Sequence, residues 1–271
     1  MRFIIPETVH ARRVLQGVYD VRQGDFAVAG SGYYQYGVRT RGLRIGLTSG
    51  SFGTRRTWFV FAPEGQPRET FLAANLRESD GYGSGNRASQ SASATGRYVM
   101  SLAERTTATF HIDAFGSRAV LPGVLLLDDI NSGLVGPYDT YNLPTAQAQS
   151  ASFTRFATSV ALDRRLPRKG EKLSFSAYYV RTGFRLRQNY TGYLLWYPDQ
   201  PDLRGAGDLH QQVNMDETIG ATFGYESGLR KKLGGQYQWR AGLQFRSSWI
   251  EQSDDLIFPA QNMIWRHLVD A

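Results

Sequence analysis

Apolar and polar residues alternate along most of this chain, beginning at about residue 41. In the first run the apolar residues are Leu43, Ile45 and Leu47, with polar or small residues between them. A late run over 239–246 repeats the pattern. A period of two puts successive side chains on opposite faces of a β-strand. The alternation therefore predicts an all-β protein with one apolar and one polar face.

We count about nine alternating runs, several with ten or more residues once their flanks are included. Their centres lie at 43–47, 56–62, 69–77, 96–102, 106–115, 156–162, 173–179, 219–225 and 239–246. Strands of soluble proteins most often have about 5–6 residues, whereas tilted membrane-spanning strands need about 9–11. The strand lengths favour a large antiparallel barrel over a sandwich.

The connections between these runs differ in length from one side to the other. The short ones lie at 49–55, 62–68, 103–106, 163–171 and 229–236, and the long ones at 77–95, 116–150 and 187–215. Outer-membrane barrels have short periplasmic turns and long extracellular loops. Apart from the short connection at 49–55, the pattern predicts a transmembrane β-barrel.

Composition is consistent with this interpretation. The 271 residues include 29 glycines, 13% aromatic residues and no cysteine. A mean hydropathy of −0.38 is too polar for a bundle of membrane helices, but it suits a barrel, which places apolar side chains on alternate residues. The apolar run at the N-terminus is too short for a secretory signal, so we expect either that the protein stays inside the cell or that this is not the true start of the mature gene product.

The net charge of +7 raises the question of nucleic-acid binding. The basic residues cluster in turns, with one group at 164–169 and another at 230–232. No aromatic residues are interleaved with them at fixed spacing, as in RNA-binding motifs. We therefore predict solvated turn charge and no nucleic-acid partner.

Three sequence features, in the right order, resemble TonB-dependent outer-membrane receptors. Residues 6–7, 14–17 and 22–30 are similar to the junction between the plug of that family and its barrel. Residues 43–54 resemble the family's first barrel hairpin, and Ser-Asp-Gly-Tyr at 79–82 resembles the motif that closes its third strand. The local resemblance covers about residues 6–85.

The resemblance implies that 1–37 is the C-terminal end of a plug domain and 38–271 the N-terminal part of a transmembrane β-barrel. Barrels of this family have 22 strands around a plugged lumen. The chain has Val18 where the family usually has proline, and 265–271 lacks a terminal aromatic residue. We therefore expect a fragment of a receptor whose open strand edges favour aggregation unless another chain completes the barrel.

Two groups of residues are candidate ligand contacts. Tyr190, Tyr193, Trp196 and Tyr197 lie between two strands, where aromatic rings either stack on a ligand or belong to the interfacial aromatic girdle. Arg181, Arg185 and Arg187 share one face of a strand, because their spacing is even. We expect this second group to face the lumen, either as a cationic surface for anionic cargo or as a solvated lumen wall.

Other chemistry is weakly supported. His111 and Asp113 share a strand face, which permits a catalytic or metal-binding pair but favours a polar pair facing the lumen. The acidic pairs lack the spacing of a calcium loop. The Gly-Tyr-Gly-Ser-Gly run at 81–85 is not followed by the lysine of a phosphate-binding loop. We predict no enzyme activity, no cofactor and no resident metal.

By resemblance, the expected function is energised uptake of a siderophore, a vitamin or an oligosaccharide across the outer membrane of a Gram-negative bacterium. The implied partners are TonB, a small-molecule ligand such as a metal chelate or an oligosaccharide, and outer-membrane lipid. The alternative is a passive, porin-like barrel or a surface β-structured binding protein. In that case the junction-like features at 6–32 would be coincidental.

Overall fold

The computed structural model describes residues 3–17, 29–189, 209–232, 234–258 and 263–269. The described residues are mostly β-strand, as the alternation predicts. In this part of the chain no helix is both long and apolar enough to cross a membrane. The strands form one ten-stranded antiparallel sheet and two small hairpin sheets.

The ten-stranded sheet, here called the wall, is a meander in which successive strands are neighbours. Its strands are β3 (Gly42–Ser49), β4 (Arg55–Ala62), β5 (Phe71–Ser79), β6 (Ser89–Ala103), β7 (Thr106–Val120), β8 (Ser150–Arg165), β9 (Glu171–Gln188), β10 (Leu209–Ser227), β13 (Arg240–Phe258) and β14 (Met263–Val269). A short hairpin, β11 (Arg230–Lys232) and β12 (Gly235–Tyr237), lies between β10 and β13. The sequence predicted about nine strands, and the described wall has ten.

The two faces of the wall differ as the alternation predicts. One face exposes large apolar side chains, with Leu43, Ile45 and Leu47 between 61% and 77% exposed. Residues opposite them in the register, such as Phe61, are on the same face. The other face buries Val60 and carries mainly polar or small residues. We call the first the outward face and the second the inner face.

The N-terminal segment packs on the inner face. Strands β1 (Val9–Gln16) and β2 (Gly30–Tyr36) pair with each other and not with the wall. Ile5 and Val38, both 1% exposed, flank this pair and form a buried cluster with residues of β4 and β5. The cluster members from the wall are Val60, Ala62, Phe71 and Ala73. Burial of these side chains holds the segment against the wall.

The connections keep the predicted asymmetry, with revised bounds. The short turns at one end cover 63–70, 104–105 and 166–170, whereas the connections at the other end include 121–149. That long connection carries two short helices, α1 (Leu127–Asn131) and α2 (Pro144–Gln147). The connection predicted at 77–95 spans only 80–88, because β6 begins seven residues earlier than expected. We call the end with the long connections the loop end.

Candidate functional site

A bidentate ion pair joins the N-terminal segment to the inner face. The Nη1 and Nη2 atoms of Arg56 donate to the two carboxylate oxygens of Glu7, at 2.8 and 2.7 Å. Arg56 Nε donates to Asn75 Oδ1 at 2.5 Å, which fixes the guanidinium plane. Burial tends to raise the pKa of Glu7, but the hydrogen bond from Arg56 and the nearby positive charges outweigh it, so the pKa lies below its usual value. Glu7 is therefore ionised at neutral pH.

Aromatic contacts extend this interface. The Tyr36 ring lies 6.0 Å from that of Phe71 and 5.1 Å from that of His111, measured between centroids. Burial, and then the negative charge of Asp113, raise the pKa of Tyr36 to about 12. Its hydroxyl therefore stays protonated and able to donate a hydrogen bond. Tyr36 thus covers the strand that carries the polar pair predicted from the sequence.

That polar pair lies on the inner face, beside an arginine. His111 Nε2 is 2.8 Å from Asp113 Oδ2, and Arg155 Nη1 is 3.7 Å from the same oxygen. The Arg155 guanidinium also lies 5.0 Å from the centroid of the Phe3 ring, a cation–π contact with the N-terminal segment. No cluster of three or more metal-ligating side chains occurs among the described residues. The geometry is that of a structural polar network.

The inner face carries positive charge that the sequence analysis missed. Arg44, Arg97 and Arg155 each have a buried guanidinium nitrogen without a hydrogen-bond partner. A buried donor without a partner destabilises the fold, so these guanidinium groups are suited to donate hydrogen bonds to a bound anion or to water. The signal in the sequence was their parity, since each stands between two outward-facing residues of its strand.

The three arginines predicted to line the lumen lie on the other face. Arg181 is opposite Phe156, an exposed residue of the outward face, and forms a 3.3 Å ion pair with Glu217. Arg185 and Arg187 have the same parity as Arg181 in β9. The predicted basic lumen wall is therefore wrong for these residues. They lie in the half of β9 nearer the loop end.

The other predicted contacts, Tyr190, Tyr193, Trp196 and Tyr197, lie outside the described residues. Their role as ligand contacts stays a prediction.

A cavity of about 1020 Å³ lies between two connections at the loop end. Segment 84–86 lines one side and residues between 126 and 147 line the other. Gly85 N donates to Tyr138 O at 2.8 Å, and Asn86 N donates to Thr140 Oγ1 at 2.9 Å. The side-chain Nδ2 of Asn86 also donates to Gln147 Oε1 at 2.8 Å. These bonds hold the two connections together on either side of the cavity.

Tyr141 organises the longer connection. It belongs to a buried cluster with Val135 and Ala146. Its hydroxyl donates to the carboxylate of Asp129 and accepts from Leu126 N at 3.1 Å. Loss of surrounding water, and then the hydrogen bond to Asp129, raise the pKa of Tyr141. The sequence assigned this region to a loop but gave no periodic pattern that would single out Tyr141.

Close backbone approach explains the glycines at 83 and 85. Gly83 has φ +88°, and a Cβ there would lie 2.7 Å from Tyr138 Cβ. A Cβ at Gly85 would lie 2.7 Å from the carbonyl carbon of Asp139. The glycine-rich run therefore serves contact between the two connections.

No protein-family model and no curated protein sequence matches this chain. Solved structures do match. The siderophore receptor PiuA from Acinetobacter baumannii has a TM-score of 0.70 at 13% identity, over 96% of this chain and 38% of its own. The ferric citrate transporter FecA, in its unliganded form, has a TM-score of 0.68 at 12% identity, over 97% and 37%.

A third match is the ferripyoverdine receptor of the outer membrane of Pseudomonas aeruginosa, bound to ferripyoverdine. Its TM-score is 0.65 at 11% identity, over 94% of this chain and 34% of its own. The chain thus spans less than two fifths of the length of these three proteins. Over that part it has the fold of the TonB-dependent outer-membrane receptors, as the resemblance in its sequence predicted.

Proposed function

We propose that the protein acts as a TonB-dependent outer-membrane receptor for energised uptake of a small ligand. One observation carries the proposal: the N-terminal segment packs on the inner face, through the Ile5–Val38 cluster and the pair between Glu7 and Arg56. A passive pore needs that face free for solute. In this proposal residues 1–37 end the plug and 38–271 begin the barrel.

The ligand is expected to bind first in the cavity between the two connections and then to pass along the inner face. Arg44, Arg97 and Arg155 favour an anionic cargo there, because their guanidinium groups are only partly satisfied. A ferric chelate with free carboxylates, such as ferric citrate, fits this chemistry. Ligand contact by Tyr190, Tyr193, Trp196 and Tyr197 remains part of the proposal.

The test is uptake of radiolabelled ferric citrate and ferripyoverdine by Gram-negative cells that carry the natural gene with its own flanking sequence. Uptake should stop when the gene for TonB is deleted or the proton gradient is collapsed. Uptake that survives both treatments would favour the passive barrel. No gene-dependent uptake of either chelate would remove the ferric-chelate assignment.

A variant pair tests the route along the inner face. Replacement of Arg97 and Arg155 by glutamine should reduce ferric citrate uptake, because two of the three inner-face cations are lost. Arg164→Gln is the matched control, since Arg164 is exposed at the turn end of the outward face. Equal loss in both variants would indicate a general folding effect.

A further inference from the structure

A groove of about 600 Å³ lies on the outward face of the wall, near the loop end of β4 to β7. Two adjacent rows of directly paired residues build it. The upper row, nearer the loop end, is Arg55, Glu78, Gln90 and Arg118. The lower row is Thr57, Leu76, Ala92 and Gly116. A polar rim therefore lies directly above a row that is apolar at Leu76, Ala92 and Gly116.

The floor of the groove is low because Ala92 and Gly116 are small. A Cβ built at Gly116 has no other atom within 4 Å, so this position opens into the groove. Ala92 is its direct partner on β6. Leu76 is 59% exposed and forms one side wall. The floor thus offers a shallow apolar channel on the surface that the proposed function places against lipid.

The rim is basic. Arg55 Nη1 lies 3.5 Å from Glu78 Oε1, and both side chains are largely exposed, so this pair is weak. Arg118 is exposed and has no ion-pair partner among the described residues. Two arginines against one glutamate leave excess positive charge in this row.

We propose that this groove binds a phosphorylated glycolipid of the outer leaflet, with phosphate on Arg55 and Arg118 and an acyl chain along Leu76, Ala92 and Gly116. The inference rests on the proposed position in the outer membrane. Guanidinium groups match phosphate oxygens in a bidentate geometry, and basic residues at a membrane surface attract anionic headgroups. The two rows lie about 6–7 Å apart along the strands, the offset between a headgroup and the start of its chains.

The first experiment compares lipid bound to the protein after purification from outer membranes in mild detergent. Mass spectrometry gives the amount of phosphorylated glycolipid per protein. Replacement of Arg55 and Arg118 by serine should lower binding about fivefold for each arginine. Arg164→Ser removes an exposed outward-facing arginine at the opposite end of the wall and should leave the amount unchanged. Equal lipid in all three proteins would overturn the proposal.

The second experiment tests the acyl-chain contact and the phosphate contact of the lipid separately. Gly116→Phe should fill the floor and reduce bound glycolipid, whereas Ala114→Phe, two residues along the same face, should not. In add-back experiments, glycolipid stripped of its phosphates should bind several-fold less tightly than the intact lipid. Equal binding of both lipids would overturn the phosphate assignment.

Cell fractionation keeps this proposal distinct from the proposed function. If the protein is absent from the outer membrane, both proposals fall. If it is present there and imports ferric citrate, but the groove variants retain their lipid, the lipid site alone falls.

Discussion

Glu7 and Arg56, 49 residues apart in sequence, form two hydrogen bonds at 2.8 and 2.7 Å across the boundary between the N-terminal segment and the wall. Both side chains are only about one fifth exposed. The pair is oriented by Asn75 and lies beside Trp58, whose ring centroid is 5.9 Å from the Arg56 guanidinium carbon. Trp58 also packs on the buried cluster, so its fluorescence reports on this contact.

Glu7→Gln should weaken attachment of the N-terminal segment. The change removes the charge of the acceptor and leaves a mostly buried guanidinium poorly paired, at a cost of about 1–3 kcal/mol. The measurement is guanidinium-induced unfolding in detergent micelles, followed by tryptophan fluorescence. Glu69→Gln is the control, because Glu69 pairs only with its exposed neighbour Arg68 and should contribute under about 1 kcal/mol. Equal destabilisation by the two variants would contradict the assigned role.

Low pH should break the ion pair between Glu7 and Arg56. The pKa of Glu7 is lower in the folded protein than in the unfolded chain, so the pair's contribution is complete above the usual glutamate value of about 4.3. It is lost as the pH falls through the lower folded pKa. In a protein whose other four tryptophans are replaced by phenylalanine, a titration of Trp58 fluorescence should therefore show a transition below pH of about 4 that is absent from Glu7→Gln. A transition of equal size in that variant would assign the pH effect to another group.

The sequence predicted the two faces of a strand where large apolar residues alternate with polar ones. Leu43, Ile45 and Leu47 identify the outward face of β3 without further information. The first half of β6 was missed, because residues 89–95 alternate serine or threonine with alanine or glutamine. Small side chains on the outward face give too little hydrophobic contrast to reveal a period of two. The pairing with β5 and β7 defines that strand.

The sequence alone did not show which arginines lie on the inner face. Alternation shows that Arg181 and Arg185 share a face, but not which one. Polar residues are expected to face inwards, but an ion pair between neighbouring strands allows charged residues on the outward face. Arg181 pairs with Glu217 there. Arg97 is on the inner face, opposite His111.

Tyr141→Phe should loosen the connection at 121–149. The variant keeps the ring in its cluster but loses the hydrogen bonds of the hydroxyl with Asp129 and Leu126. Each such bond contributes about 0.5–1.5 kcal/mol. Amide hydrogen exchange of this segment should become several-fold faster. Tyr138→Phe is the control, since Tyr138 is half-exposed and contacts the Tyr82 ring. Faster exchange in Tyr138→Phe alone would contradict the assignment.

Gly85→Ala should separate the two connections that form the cavity. The new methyl group would lie 2.7 Å from the carbonyl carbon of Asp139, closer than side chains normally approach. The backbone hydrogen bond from Gly85 to Tyr138 must then lengthen or break. Cleavage by added protease within 80–88 should accelerate in this variant. Gly116→Ala has open space around the new methyl group and should not change cleavage.

Single cysteines can test the assignment of the two faces directly, because the chain contains no cysteine of its own. Phe110 is 47% exposed on the outward face of β7, and its neighbour Thr109 is on the inner face opposite Val99. A fluorophore attached at Phe110→Cys should be quenched by brominated lipid in reconstituted bilayers, whereas one at Thr109→Cys should not. Water-soluble iodide should give the reverse order if the inner face borders a hydrated lumen. Equal quenching by lipid at both sites would mean that the wall does not separate lipid from an interior, and the transmembrane interpretation would fail.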